Sequence, residues 1–160
     1  MIKQVFICLI VLMSSCTPSK TQNKMNVELE ILPSGGGEKG YSIAISNDTL
    51  QSKKRAIGSI EGSIALTDIK EKKELLLNST QKDSVIAILG KINLDIKSNE
   101  APFALDTWMY TLKVDGKEVA KFNSMTILQV TDNEQLEICK KLIKRLINMS
   151  PLKIDLQSFS

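Results

Sequence analysis

The hydrophobic and polar positions alternate over much of the chain after residue 26, which is the pattern of half-buried β-strands. Residues 27–31 read Val-Glu-Leu-Glu-Ile, and residues 41–46 alternate in the same way after a glycine-rich break. Asn47-Asp48 is a turn signal. Residues 54–69 mix two periods, and we predict two short strands there, with Glu61-Gly62 as a hairpin turn between them.

Asp115-Gly116 lies between two strand-like segments and is the strongest hairpin signal in the chain. A plain two-residue loop would place Trp108 and Tyr110 opposite polar side chains. A three-residue loop with Gly116 as the bulge residue places them near Phe122 and Ala120 instead. The second register groups the apolar side chains on one face, so we expect it.

Two segments have the 3.6-residue period of amphipathic helices. The first covers about residues 81–92, and Thr80 is its expected N-cap. The second covers about residues 132–148, where Thr131 and Glu134 have the spacing of a capping box. Its apolar stripe comprises Leu136, Cys139, Leu142, Ile143, Leu146 and Ile147.

The C-terminal tail alternates once more over residues 152–156, after Pro151 has ended the last helix. We predict an edge strand there. Amphipathic strands with two convincing helices favour an α+β fold, an antiparallel sheet with about two helices packed on one face.

The first sixteen residues have a different character from the rest of the chain. Lys3 is followed by the apolar segment Val5 to Met13, then by the small residues Ser14 and Ser15, and then by Cys16. A membrane-spanning helix needs about 20 apolar residues. This segment has instead the size of a signal-peptide core.

The four residues Met13-Ser14-Ser15-Cys16 resemble the lipobox of bacterial lipoproteins, in the looser form found in the Bacteroidota. The resemblance implies cleavage between Ser15 and Cys16 and acylation of Cys16, with fatty acyl chains such as palmitate anchoring the protein to a membrane. Residues 1–15 are then the signal peptide, residues 16–26 a flexible tether, and residues 27–160 one α+β domain. The tether lacks the acidic cluster that resembles a surface-export signal, which favours the periplasmic face of the outer membrane over the cell surface.

Composition narrows the possible chemistry. The 160 residues include no His, which excludes Ser-His-Asp and Cys-His nucleophiles, imidazole metal sites and a histidine pH switch. Of the three cysteines, Cys8 lies in the signal peptide and Cys16 is assigned to lipid. Cys139 remains as a buried apolar side chain and leaves no partner for an internal disulfide. The net charge of +3 falls to +2 when Lys3 is removed, too little to predict a nucleic-acid partner.

Several groups of residues are candidate sites, and each also has a structural explanation. Residues 34–40 have glycine spacing similar to a phosphate-binding loop, but Tyr41 begins a strand where that loop needs a helix, so we expect a strand connection. The bases of the last helix, together with acids at its other end, are expected to complement the helix dipole. The alternative is that these bases contact anionic lipid headgroups. These bases are Lys140, Lys141, Lys144 and Arg145.

Aromatic side chains are the candidate binding surface, with packing in the core as the alternative: Phe103, Trp108 and Tyr110, together with Phe122. Asp95, Glu100 and Asp106 are scattered acids without the spacing of a glycosidase pair or a metal loop. Thr49 in Asp48-Thr49-Leu50 resembles a Bacteroidota O-glycosylation site, and Ser84 is a weaker candidate.

No constellation of side chains identifies a reaction, and we predict neither a metal nor another cofactor. We therefore expect a non-enzymatic binding or accessory domain anchored to the membrane through Cys16. Its order of elements is similar to small Bacteroidota lipoprotein domains of unknown function. The alternatives are a small envelope hydrolase using carboxylates or a Ser-Lys pair, an inhibitor or immunity lipoprotein, and a structural tether of the envelope.

Overall fold

One mixed sheet organises the computed structural model, which describes residues 25–34, 37–100, 107–128 and 133–156. Its strands are β1 (Asn26–Pro33), β2 (Lys39–Ser46), β3 (Thr49–Ile60), β4 (Ser63–Leu76), β5 (Ser98–Glu100), β6 (Trp108–Val114) and β7 (Lys117–Asn123). Their order is β4-β3-β2-β1-β6-β7-β5, and every neighbouring pair is antiparallel except β5 with β7. The helices are α1 (Ser79–Leu89), the short α2 (Ser124–Leu128) and α3 (Glu134–Met149).

The two faces of the sheet differ, which confirms the predicted α+β fold. Alternate side chains of β1, β2 and β6, such as Leu29, Ile43 and Leu112, are fully buried in one core with α3 and with Val85 of α1. The intervening side chains point to the other side of the sheet because the side-chain period of a strand is two. We call this second side the open face.

The region of mixed periodicity, residues 54–69, forms parts of two long strands rather than two short ones. β3 and β4 pair up to Ile60 and Ser63, and the Glu61-Gly62 turn that we predicted joins them. The register shifts on both sides of Arg55. Such bulges change which side of the ribbon a residue faces, and this explains the mixed pattern of apolar positions.

The Asp115-Gly116 hairpin has a two-residue loop, so the expected three-residue loop is wrong. Both loop residues have positive φ, 50° for Asp115 and 78° for Gly116, as the type I′ turn requires. The register shift lies inside the hairpin, next to Leu112, and pairs Tyr110 with Phe122. The bulge still collects apolar side chains on the core side, but at a place that the turn signal does not mark.

Asparagines cap both long helices, which corrects the two predicted caps. Asn78, not Thr80, caps α1: its side chain accepts from the Gln81 backbone N–H at 2.9 Å, and the Gln81 side chain accepts from the Asn78 backbone N–H at 2.9 Å. Asn133 caps α3 by accepting from the backbone N–H of Leu136 at 3.0 Å, in place of the expected Thr131. The apolar stripe of α3 is confirmed, with all but the half-buried Ile147 fully buried.

The C-terminal tail is not an edge strand, because side chains rather than a neighbouring strand satisfy its backbone. The Tyr41 hydroxyl donates to the Asp155 carbonyl at 3.4 Å and accepts from the Asp155 N–H at 3.3 Å. The indole N–H of Trp108 donates to the carbonyl of Leu156 at 2.9 Å. Lys39 forms an ion pair with Asp155 at 3.7 Å.

Candidate functional site

The β3–β4 hairpin extends beyond the rest of the sheet. β2 pairs with β3 only as far as Lys39, opposite Ala56. Beyond that pair, β3 and β4 continue to the Glu61-Gly62 turn, and no third strand of the described residues pairs with them there. We call residues 57–66 the arm. At the root of the arm the Arg55 side chain donates from Nε to the Thr67 carbonyl at 2.9 Å, which ties the two strands together across their bulge.

The arm lies over the open face, and Gly40 of β2 permits this approach. A Cβ atom at Gly40 would lie 2.5 Å from Cδ2 of Leu66 in the arm and 2.8 Å from the carbonyl oxygen of Ile31 in β1. Both distances are shorter than ordinary van der Waals contact. A residue without a side chain is therefore needed where the arm meets the sheet.

The arm and the open face enclose a groove of about 380 Å³ that we call the arm groove. Its lining residues are Leu32, Pro33, Ser34, Ile64, Met109, Thr111 and Lys121. The wall at Ser34 is held in place because its hydroxyl donates to the Thr107 carbonyl at 2.9 Å and accepts from the Thr107 N–H at 3.0 Å. Lys121 is exposed and brings a positive charge to a mainly apolar surface.

Several charged side chains elsewhere on the open face form pairs with one another. Glu30 and Lys113 lie 3.5 Å apart on neighbouring strands. At the outer edge the Lys72 ammonium, 2.8 Å from Glu74, and a 2.7 Å hydrogen bond from Gln51 hold the pKa of Glu74 below its usual value. The arm groove is thus an apolar region next to a surface of paired charges.

The predicted aromatic surface belongs to the core. Trp108 is 3% exposed and Tyr110 is 2% exposed, because both share the helix-covered face with the other alternate residues of β6. The ring of Trp108 packs at 6.0 Å from the ring of Tyr41, and the ring of Tyr110 at 5.9 Å from the ring of Phe122. The packing interpretation is therefore correct for these two residues. Phe103 lies outside the described residues.

The cysteine and two of the four bases of α3 are engaged inside the protein. Cys139 is buried, as predicted, and burial raises the pKa of its thiol to about 11. Lys140 is 2% exposed and lies 2.8 Å from Glu137. Arg145 donates from Nε to the Ser84 hydroxyl at 3.0 Å, which links α3 to α1.

The helix-dipole explanation of that charge pattern is only half correct. Glu134 and Glu137 lie in the first turn of α3, as expected, but its last turn contains no basic residue. Lys141 and Lys144 remain exposed on the surface of the helix. A basic patch of four residues is therefore reduced to two.

The scattered carboxylates show no cluster in the part of the chain that the structure covers. Asp95 is exposed and lies 3.4 Å from Lys117, while the Glu100 side chain and Asp106 lie outside the described residues. Among the described residues, no group of three or more Cys, Asp or Glu side chains is placed to hold a metal ion. Within the same residues, no helix is long and apolar enough to cross a membrane.

The remaining candidates keep simple structural roles. Thr49 is the half-buried first residue of β3, and its neighbour Asp48 forms an ion pair with Lys82 at 3.2 Å. Its O-glycosylation stays a prediction, as do cleavage at Ser15 and lipidation of Cys16, which lie outside the described residues. The expected strand at Tyr41 is confirmed, since β2 begins at Lys39.

The lining of the arm groove is not among the predicted site residues, although the sequence carries a signal for it. Leu32 follows Ile31 directly, and Met109 lies between Trp108 and Tyr110. Each is an apolar residue at a position where the alternation calls for a polar one. Such out-of-phase apolar residues mark a second, smaller apolar surface on the side of the sheet away from the core.

Comparison with known proteins identifies no relative of this chain. No protein-family model matches it, and neither a curated protein nor a solved structure matches it. The arm groove and the lipobox-like N-terminus are therefore the features on which a functional assignment depends.

Proposed function

We propose that this chain is a membrane-anchored lipoprotein of the bacterial envelope whose folded domain binds another molecule in the arm groove without transforming it. The observation that carries this proposal is the groove itself, a volume of about 380 Å³ between the open face and the arm. Binding sites for small ligands or anchoring side chains usually occupy about 300–1,000 Å³.

The composition of the groove suits recognition. Leu32, Pro33, Ile64 and Met109 supply apolar surface, while Thr111 and Lys121 supply a hydroxyl and a charge at its margin. A mainly apolar lining with a few placed polar groups gives affinity and orientation. The groove is also built on paired strands, which hold its walls in place better than loops would.

The polar groups of the groove favour recognition over catalysis. The Ser34 hydroxyl is already engaged with the Thr107 backbone in both directions. Cys139 is a buried thiol on the other side of the sheet, and burial raises its pKa to about 11, far from the reactive thiolate state.

The membrane anchor is supported by the lipobox-like residues Met13 to Cys16. Two or three acyl chains on Cys16 satisfy the requirement of more than one chain for stable anchoring. The described domain begins at Met25, so a short tether would hold it close to the membrane. We assign the periplasmic face of the outer membrane as its location, and a protein or another envelope component as its partner.

A matched pair of substitutions on β4 tests binding in the groove. Ile64 lines the groove and is 53% exposed, while Ile69 is 51% exposed and lies outside the groove. Replacing each with Asp in the full-length chain removes similar apolar area at similar exposure. Losing the contact that a partner would make with the exposed half of one isoleucine corresponds to about tenfold weaker binding.

The assay is cross-linking in intact cells followed by quantitative purification of the lipoprotein with its bound molecules. We expect Ile64→Asp to reduce recovery of the partner about tenfold, and Ile69→Asp to leave it unchanged. Equal recovery with both variants, or an equal loss with both, contradicts binding in the arm groove.

A further inference from the structure

The tether leaves the domain at a fixed point on one end of the sheet. The carbonyl oxygen of Met25 accepts from the Asn47 N–H at 3.0 Å, and that of Asn26 accepts from the Asp115 N–H at 2.9 Å. Two hairpin turns thus hold the first residues of the domain. We call this the basal end of the protein, and the arm lies at the opposite end.

The basal end carries three exposed apolar side chains from three different segments. Leu76 is 74% exposed at the end of β4, Ile86 is 45% exposed on α1, and Ile96 is 49% exposed in the connection after α1. Isolated exposed apolar residues are ordinary, but several of them at one end of a domain form a candidate interaction surface. Here that end is the one where the tether enters.

Each of the three is located at the basal end by its neighbours. Leu76 pairs with Thr49, next to the Asn47-Asp48 turn. Ile86 lines a cavity of about 330 Å³ together with Met25. Ile96 lies between Asp95 and Lys97, which pair with the first two residues of β7 at 3.4 and 2.8 Å.

The cavity beside Met25 extends this apolar surface inward. Leu89, Ile92, Leu94 and Val114 line it together with Ile86 and backbone-bonded residues of the β1 and β6 ends. Three lysines at this end are paired with acids: Lys82 with Asp48, Lys97 with Glu118 and Lys117 with Asp95. Attraction to the surface therefore comes from apolar side chains rather than from a net positive charge.

The length of the tether identifies what covers this surface. Eight residues lie between Cys16 and Met25, so the nine steps of chain from one to the other keep the basal end within about 30 Å of an acylated Cys16 even when the tether is fully extended. We infer that the basal end docks on the bilayer that holds the lipid anchor, inserting Leu76, Ile86 and Ile96 into the headgroup region. This inference rests on the proposed lipid anchor.

Docking of this kind fixes the orientation of the binding site. β1 spans eight residues from the basal end to Pro33, which lines the arm groove. A strand of that length covers about 26 Å. With the basal end on the membrane, the groove and the arm face away from the lipid, toward partners in the periplasm.

A fluorescent label that reports local polarity tests the docking. Ile96→Cys places the label at the basal end, and Ile60→Cys places it at the tip of the arm, where Ile60 is 53% exposed. Cys139 is buried and does not compete for the label. Each mature lipidated chain is reconstituted in neutral phosphatidylcholine–phosphatidylethanolamine vesicles and compared with the same chain carrying Cys16→Ser.

We expect the label at residue 96 to shift to shorter wavelength in vesicles and to be quenched by brominated lipid, at low and high salt alike, while the label at residue 60 does neither. Adding Ile86→Asp should lower the ratio of docked to undocked molecules about fivefold.

If both labelled chains stay with the vesicles and residue 96 remains in water, docking is wrong and the anchor stands. If the chain with Cys16 fails to associate with membranes at all, the anchor itself is wrong.

Discussion

Gly40 is the contact point between the arm and the sheet, and we predict that Gly40→Ala destabilises the protein and disturbs the arm groove. The added Cβ would lie 2.8 Å from the carbonyl oxygen of Ile31 and 2.5 Å from Cδ2 of Leu66. The leucine tip can rotate away. The oxygen belongs to the backbone of β1, which pairs with β2 on one side and β6 on the other, so it cannot move without straining two ladders.

The magnitude follows from two opposing effects. Overpacking of a well-packed site costs about 1–3 kcal/mol. Replacing Gly by Ala recovers about 0.4–1 kcal/mol by restricting the unfolded chain. We therefore expect the free energy of unfolding to fall by about 1–2 kcal/mol, which lowers Tm by roughly 3–8 °C for a domain of this size.

The assay is chemical and thermal unfolding, with Gly90→Ala as the matched control. At Gly90 the nearest atom to a new Cβ is the Ile86 oxygen at 3.5 Å, and φ is −62°, so alanine fits without strain. Gly90→Ala should be neutral or slightly stabilising. Adding Leu66→Ala to Gly40→Ala removes the side-chain clash but not the backbone clash. Wild-type stability for Gly40→Ala, or full recovery in the double variant, would refute the backbone argument.

Three further predictions concern stability. Removing the Tyr41 hydroxyl as Tyr41→Phe should cost about 1 kcal/mol and increase hydrogen exchange at the C-terminal tail, because this hydroxyl holds Asp155 in both directions; unchanged exchange would contradict it. Asn78→Ala should cost about 0.5–2 kcal/mol in chemical unfolding, whereas Thr80→Ala should cost little, since Asn78 is the cap of α1. Burial raises the pKa of Cys139 to about 11 and that of Tyr110 to about 12. The unfolded chain then loses these protons first, so stability should fall as pH rises from about 9 to 12, and a flat profile in pH-dependent unfolding would argue against their burial.

The fold was largely predictable because its strongest signals are local. β1 and β2 each bury one face and expose the other, so their residues alternate visibly in the sequence. The apolar stripe of α3 is equally visible in the sequence, and its members from Leu136 to Leu146 are all buried. Where an element has one face in water and the other in a single core, the apolar pattern of its own residues shows which face is buried.

The errors arise where two segments adjust to one another. The bulges near Arg55 and Leu112 follow from how neighbouring strands fit together, and their sequences carry no turn residue to announce them. The tail at residues 153–156 alternates like a strand. It meets Tyr41 and Trp108 instead of a strand edge, and their polar atoms satisfy its backbone.

The candidate site was harder to predict than the fold because it depends on curvature. The aromatic residues attract attention in the sequence, but their phase in β6 commits Trp108 and Tyr110 to the core. Met109 has the opposite phase and reaches the groove. The groove forms only because the arm lies over the open face, and that approach depends on Gly40. The sequence gives no signal of this role other than the missing side chain.

A single strand connects the two surfaces that we assign to function. β1 begins at the basal end and ends at Pro33 in the wall of the arm groove, and it is paired on both sides from Val27 to Ile31. Because a strand paired on both sides is a stiff element of a sheet, the distance between the basal end and the groove is set by β1 and not by loops. If the basal end docks on the bilayer as we propose, a longer tether would leave the distance from the membrane to the groove unchanged, because that distance is the length of β1.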